Sequence, residues 1–366
     1  MVIEIDFSSD TQTRPTPGMR EFMAAAPVGD EQLREDPSVN RLQELSAALL
    51  GKEAALFLPS GTMCNAIAFC LNGNRGEAVI LDQQSHPNLS EAGGPAWLAN
   101  LMLRPVTGER GIFTVDQIAE HVNKGGTHAA RSAFVSVENT TNRGGGAIWP
   151  LERLAEIRAF VDEQGMRLHM DGARLMNAAV GSGTPAATIA AYADTVWLDL
   201  SKGLGAPVGA VLAGKRDFIE RARLLKHMFG GAMRQAGIIA AGGIYALEHH
   251  VDRLAVDHAN ARFLGEGLAS IPGVKLVYDT IPTNILFFDV SGAGMTPQQV
   301  EAGINALGVR MGGGYDGAKV IRAVTHLDVT RDDCQRAIDA VRQVCASGPG
   351  ENGATAPAAR EKSLTR

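Results

Sequence analysis

Two short apolar runs that end on opposite charges constrain the fold more than any other feature. Arg167-Leu168-His169-Met170 closes on Asp171, and Val196-Trp197-Leu198-Asp199-Leu200 leads through Ser201 to Lys202, 31 positions after Asp171. Runs of this length read as buried parallel strands, apolar on both faces. Both charges then emerge at the carboxyl edge of one sheet, where open α/β sheets bind ligands. A lysine there can form an imine with an aldehyde cofactor, and a carboxylate can keep a pyridinium nitrogen protonated. Those are the two protein groups a pyridoxal-phosphate enzyme needs most. Taken singly, Ser201-Lys202-Gly203 also suits a surface turn, and Asp171 also suits the N-cap of a helix over Gly172 to Ala179.

Length and charge bound the rest. With 366 residues the chain can bury a large core and is expected to form a main domain plus a smaller one. Its 45% hydrophobic and 20% charged residues are those of an ordinary globular protein. A net charge of −6 gives no electrostatic reason to bind nucleic acid, and no block of like charge suggests a membrane surface. No apolar run is long enough to span a bilayer, and Met1 to Asp6 lacks the regions of a signal peptide. Cys64, Cys70, Cys334 and Cys345 have no metal-ligand spacing. No metal is therefore expected, and they read as reduced thiols in a cytoplasmic protein.

The first thirty residues, punctuated by Pro15, Pro17 and Pro27, read as irregular around a short helix from Met19 to Ala25. Val39 to Leu50 carries a helical stripe. Strands are then predicted at Ala54 to Leu58, Ala78 to Leu81, Ser132 to Val137, Arg167 to Met170, Val196 to Leu200 and Val208 to Ala213. Between and after them helices are predicted from Thr62, near Glu91 to Leu101, over Leu151 to Gln164, and from about Phe218 into the 250s. Such alternation means an α/β fold with an open, mostly parallel sheet. Further on, strand-like Lys275 to Tyr278, Asn284 to Val290 and Val320 to Thr325 interleave with helices from Thr296 and Thr330, a small α+β lobe. Ser347 to Arg366 has no apolar period and is expected to be disordered. The expected division is 1–250, 251–346 and a tail at 347–366.

Three more segments bear on chemistry. Pro59-Ser60-Gly61-Thr62 follows a strand and opens a helix, so its amides form an anion site suited to a cofactor phosphate; a plain strand-to-helix turn reads the same way. His86 follows the Ala78 to Leu81 strand and reaches the same edge, as a ring stacked on a cofactor, a proton carrier or a loop histidine. Arg322, inside an apolar strand, needs a partner: a substrate carboxylate or a structural ion pair. No Walker lysine motif occurs, nor a Gly-x-Gly-x-x-Gly of the nicotinamide type.

These segments belong to a longer ordered series. It begins with Ser9-Asp10-Thr11, Thr13-Arg14-Pro15, Pro27-Val28-Gly29-Asp30, Glu35-Asp36-Pro37 and Gly51-Lys52-Glu53-Ala54-Ala55. It continues with Glu91-Ala92-Gly93-Gly94, Glu138-Asn139-Thr140, Asp171-Gly172-Ala173-Arg174 and Ser201-Lys202-Gly203-Leu204 with Ala206-Pro207-Val208-Gly209. Met233-Arg234-Gln235 and Arg322 to Val329 close it. In these motifs the chain resembles the low-specificity L-threonine aldolases, pyridoxal-phosphate enzymes of the aspartate-aminotransferase fold (fold type I), over all but its tail.

The resemblance implies a role for each matching position. Lys202 carries the cofactor imine, Asp171 binds the pyridine nitrogen, His86 stacks on the ring, and Gly61 and Thr62 bind phosphate. Ser9, Arg174 and Arg322 hold the amino-acid carboxylate, with Arg174 also near the ring oxygen, and Arg234 comes from a neighbouring subunit. It further implies tetramers built from tight dimers and a retro-aldol cleavage of 3-hydroxy amino acids to glycine and an aldehyde, with His86 or a water beside it as base. Two departures stand out. Leu33-Arg34 replaces the family's Tyr-Gly, and Thr141 replaces a histidine near the substrate's β-hydroxyl. Arg34 is read either as reaching a second acidic group on the substrate or as making a surface or inter-subunit ion pair. An aminotransferase, a β-eliminating lyase and a non-catalytic relative remain alternatives.

Overall fold

The apolar runs that build the larger sheet become strands because their side chains are buried on both of its faces. The computed structural model describes residues 2–315 and 319–348. Its strands are β1 (Ile5–Phe7), β2 (Ala54–Leu58), β3 (Ala78–Asp82), β4 (Met102–Val106), β5 (Ser132–Glu138) and β6 (Arg167–Gly172). They continue with β7 (Thr195–Asp199), β8 (Ala210–Gly214), β9 (Lys275–Leu276), β10 (Ile285–Asp289), β11 (Val309–Tyr315) and β12 (Val320–Val324). Every residue of β3, β5, β7 and β8 is buried, as a sheet covered by helices on both faces demands.

Seven strands form the larger sheet in the order β2-β8-β7-β6-β5-β3-β4. Pairings from β7 through β6, β5 and β3 to β4 are parallel, and β8 runs against both of its neighbours. The fold is thus the mostly parallel α/β arrangement expected. A second sheet, β1-β11-β12-β10-β9, covers the later strands. The N-terminal strand β1 joins it in parallel register, Ile5 opposite Val309 and Phe7 opposite Met311, so Phe7 packs into the small-sheet core with Leu264, Phe288, Ile304 and Ile321. The larger core gathers Leu42, Leu50, Val135, Leu168 and Leu198.

Several boundaries differ from the sequence reading, each for a local reason. The 91–101 segment holds only a four-residue helix, Gly94–Trp97, and β4 follows it. β4 contains Pro105 and escapes the apolar pattern because it is an edge strand, paired only with β3, where proline is tolerated. The single helix expected from Phe218 is two, Arg216–Met228 and Gly237–His249. Gly230, at φ 76°, ends the first in the left-handed conformation that glycine adopts without strain. β1 and β11 were not anticipated: one is three residues long, and the other carries the turn-like Gly312-Gly313-Gly314. A separate helix, Leu254–Ala269, also went unrecognised. Thr296 and Thr330 cap their helices with full capping boxes, as their positions predict. The last helix runs through Ser347, and residues 349–366 of the expected tail lie outside the described residues.

Asp36 ties three segments together and gives a stability test. Its buried carboxylate caps helix Pro37–Leu50 by accepting from Val39 N–H at 3.0 Å, and also accepts from Gly29 at 3.2 Å and Gly237 at 2.8 Å. Asp36→Ala removes a cap and strands buried donors, so urea unfolding should show a loss of about 3 kcal/mol.

Candidate active site

Four adjacent strands end on acids at one edge of the large sheet: β3 on Asp82, β5 on Glu138, β6 on Asp171-Gly172 and β7 on Asp199. Glu138 stands opposite Asp171, and Asp171 opposite Trp197. Carboxylates this close and this buried must be separated by hydrogen bonds or cations, and the surrounding residues supply both.

Asp171 is buried, accepting from Asn65 Nδ2 at 2.9 Å and from the Ala173 N–H at 3.0 Å. The same Asn65 nitrogen donates to Glu91 Oε1 at 2.7 Å, while Asn65 Oδ1 accepts from Trp197 Nε1 at 2.7 Å. Behind it lies His169, whose burial pushes its ring down to about 3 and so keeps it neutral. Asn65 comes from helix Gly61–Asn72, capped by Ser60. A Cβ at Gly61 would lie 2.3 Å from Trp197 Cη2, so this glycine is required by the indole beneath it as well as by any ligand above. Thr62 lies exposed in that helix's first turn, beside outward-pointing amides.

Lys202 follows β7 by three residues, and its Nζ is 2.9 Å from Asp199 Oδ2. The other Asp199 oxygen accepts from Ser201 N–H and Oγ at 2.8 and 2.9 Å. His86 begins a short helix, with Nδ1 2.8 Å from Glu91 Oε1. That hydrogen bond raises the histidine's pKa against the effect of burial, and burial raises Glu91, so the pair holds a proton more firmly than either group would in water. Arg174 meets Asp10 through Nε and Nη2, both at 2.7 Å. Burial alone would raise Asp10, yet the guanidinium overrides it and holds the carboxyl well below its usual range. One fork of Arg174 is therefore used within the protein. Arg322 donates from Nη1 to Asn142 Oδ1 and from Nη2 to the Ser8 carbonyl, each at 2.7 Å. Both of these acceptors are uncharged, and they orient the guanidinium. Ser9 caps the Asp10–Gln12 turn, its Oγ accepting from Thr11.

The remaining expected site residues have other surroundings. Thr141 is buried, bridged to Ala147, and a Cβ on Gly111 would lie 3.2 Å from its own Cβ. Arg34 makes an exposed ion pair with Glu220. It takes φ 63°, a conformation cheapest for glycine, which accounts for the glycine expected there. Arg234, 63% exposed, pairs with Asp30 at 2.7 Å. The sequence reading gave no role to Asn65, Glu91, Glu138, Asn142, Asp199 and Asp10. A signal for the strand-end acids was present, since the runs Ala78 to Leu81, Ser132 to Val137 and Val196 to Leu198 each close on one.

Among the described residues no cluster of side chains suits a metal ion, and no helix is long and apolar enough to cross a membrane. An amine beside a buried carboxylate, with helix amides and a guanidinium nearby, is chemically suited to an aldehyde and an amino acid.

The chain is similar to known proteins in sequence and in fold. A family model described as beta-eliminating lyase matches residues 6–291. The low specificity L-threonine aldolase of Escherichia coli K12 is 42% identical over 332 residues, covering 90% of this chain and 95% of its own. Low-specificity L-threonine aldolase 1 of Arabidopsis thaliana is 36% identical, covering 93% and 96%. In fold, Leishmania major threonine aldolase superposes with a TM-score of 0.80 at 23% identity, over 93% of this chain and 99% of its own. Serine palmitoyltransferase of Sphingomonas wittichii gives 0.74 at 17% identity, over 94% and 88%. The class is that of the β-eliminating lyases. Within it, the chain belongs to the low-specificity L-threonine aldolase family.

Burial foremost, and Asp171 next, push the Glu138 carboxyl from 4.5 up to about 7. Folding therefore takes up a proton between those values, and this group's contribution to stability is lost as pH rises from about 4.5 to about 7. Urea unfolding of protein prepared without cofactor should show a decline of at most roughly 3 kcal/mol across that window, absent in Glu138→Gln.

Proposed function

We propose that the protein is a pyridoxal-phosphate-dependent aldehyde-lyase that cleaves L-3-hydroxy-α-amino acids to glycine and an aldehyde. Its family membership supports the reaction class, and one observation carries the assignment to this edge. Lys202 and the buried Asp171 emerge from neighbouring parallel strands beside a helix N-terminus.

The residues fit the cofactor. Lys202 would attach it, Asp171 would face its ring nitrogen, His86 and Arg174 would flank its ring, and Gly61 and Thr62 would receive its phosphate. When bound, pyridoxal phosphate supplies the electron sink for the pair released by Cα–Cβ cleavage. The chain does the rest. Ser9, Arg174 and Arg322 hold the substrate carboxylate, with Arg322 the main anchor because Arg174 shares its fork with Asp10. Glu91 engages His86 Nδ1, leaving Nε2 to exchange a proton with the β-hydroxyl, directly or through water. Thr141 gives the β-substituent more room than a histidine would. Arg34 is assigned to its surface ion pair rather than to substrate.

The division into lobes 1–250 and 251–346 is part of this reading, with β1 contributed by the first segment to the smaller lobe's sheet. So is a homotetramer of tight dimers, supported by the exposed Leu33, Leu224, Met228 and Trp97 and by the exposed side chain of Arg234. The four free cysteines support a cytoplasmic setting.

Incubation with threonine, allo-threonine, phenylserine and 3-hydroxyaspartate should release glycine and the matching aldehyde. Lys202→Ala should cut this to background, and His86→Phe, which keeps an aromatic ring, should lower kcat by about 10²- to 10⁴-fold. Ammonia and pyruvate as products, or a requirement for a keto acid, would reassign the reaction to elimination or transamination.

A further inference from the structure

Glu138 closes β5 in the middle of the acid row, and the mechanism above does not use it. Its two oxygens are spent on two different loops. Oε2 accepts from the His86 backbone N–H at 2.8 Å, and Oε1 accepts from the Asn142 backbone N–H at 2.7 Å. The first loop carries the ring proposed to face the cofactor. The second carries the side chain whose Oδ1 accepts from Arg322 Nη1 at 2.7 Å. The carboxylate itself is anchored from below, because its residue's backbone carbonyl accepts from the buried Trp149 Nε1 at 2.9 Å. Among the described residues no cationic side chain forms an ion pair with Glu138. A buried acid that spends both oxygens on backbone donors is costly unless those donors must be fixed in place.

We propose that Glu138 is a positioning residue: it pins the His86 loop and the Asn142 loop to one point and, through Asn142, sets the orientation in which Arg322 grips the substrate carboxylate. The inference rests on the reading of Arg322 and His86 under Proposed function. Glutamine cannot replace the acid, because its amide offers one acceptor oxygen and turns a donor toward the second backbone N–H.

The test uses the cofactor-loaded enzyme as wild type, Glu138→Gln, Asn142→Ala and the double variant. Two readouts apply: amide hydrogen exchange over the segments holding residues 86 and 142, and the Kd of glycine, followed through the change it causes in cofactor absorption. Glycine carries the same α-carboxylate as the substrates. E138Q should speed exchange in both segments together. E138Q and N142A should each weaken glycine about tenfold or more, as expected for a lost hydrogen bond to a charged group. The double variant should bind glycine no worse than E138Q, because both changes break one chain of contacts. KM for threonine should rise with glycine Kd, and kcat should fall less.

Unchanged exchange in E138Q overturns the pinning. Faster exchange with wild-type glycine affinity, or losses that multiply in the double variant, overturns the link to Arg322. If E138Q does not fold, N142A decides: wild-type glycine affinity there sinks the proposal. A wild-type protein that holds cofactor but binds no glycine instead overturns the functional reading beneath it, and the connection to substrate falls with it.

Discussion

Burial of like charges at one sheet edge is the constraint around which this molecule is organised. Asp82, Glu138, Asp171 and Asp199 close neighbouring strands, and the strands place them side by side whether or not that is electrostatically comfortable. Three kinds of partner stabilise them. Asp82 and Glu138 accept backbone amides, Asp171 accepts from Asn65, and Asp199 takes Lys202. The edge is therefore polar and dry at once, a setting in which each hydrogen bond acts more strongly than in water.

Asn65 is the junction of this network. One amide nitrogen serves both Glu91 and Asp171, and the opposite oxygen receives the Trp197 indole. Its orientation is fixed by that indole, so the amide cannot turn to favour one acid over the other. Trp197 in turn presses on Gly61, which links the helix that begins the anion site to the strand that delivers Lys202. Packing and charge are thus not separate layers here.

Much of this was legible in the sequence, and the unread parts share a cause. The strands of the large sheet announced themselves because burial on both faces leaves uninterrupted apolar runs, and Asp171 and Lys202 stood out as charges at their ends. β4 and β11 were hidden because an edge strand tolerates Pro105, and because Gly312-Gly313-Gly314 looks like a turn until β1 and β12 flank it. Asn65 and Glu91 were hidden for another reason. Their meaning lies in partners on different elements, and no local pattern reports that a helical asparagine faces a strand-end aspartate. Arg322 stood out as a charge inside an apolar strand, and resemblance supplied Ser9; neither signal could supply Asn142, which matters through the hydrogen bond it accepts from that arginine.

β1 has a consequence for how the molecule comes to exist. Ile5 and Phe7 lie in register with Val309 and Met311, the Ile5 N–H donating to the Gly308 carbonyl, and just beyond them Asp10 bridges Arg174 of one lobe and Asn284 of the other. These residues can pair only once the chain through Met311 has been made. Until then the carboxylate clasped by Arg174 is missing and the small sheet has an open edge. The small sheet, and with it the position of the carboxylate that holds Arg174, thus waits on a pairing between segments far apart in the chain, a long-range contact of the kind that slows folding.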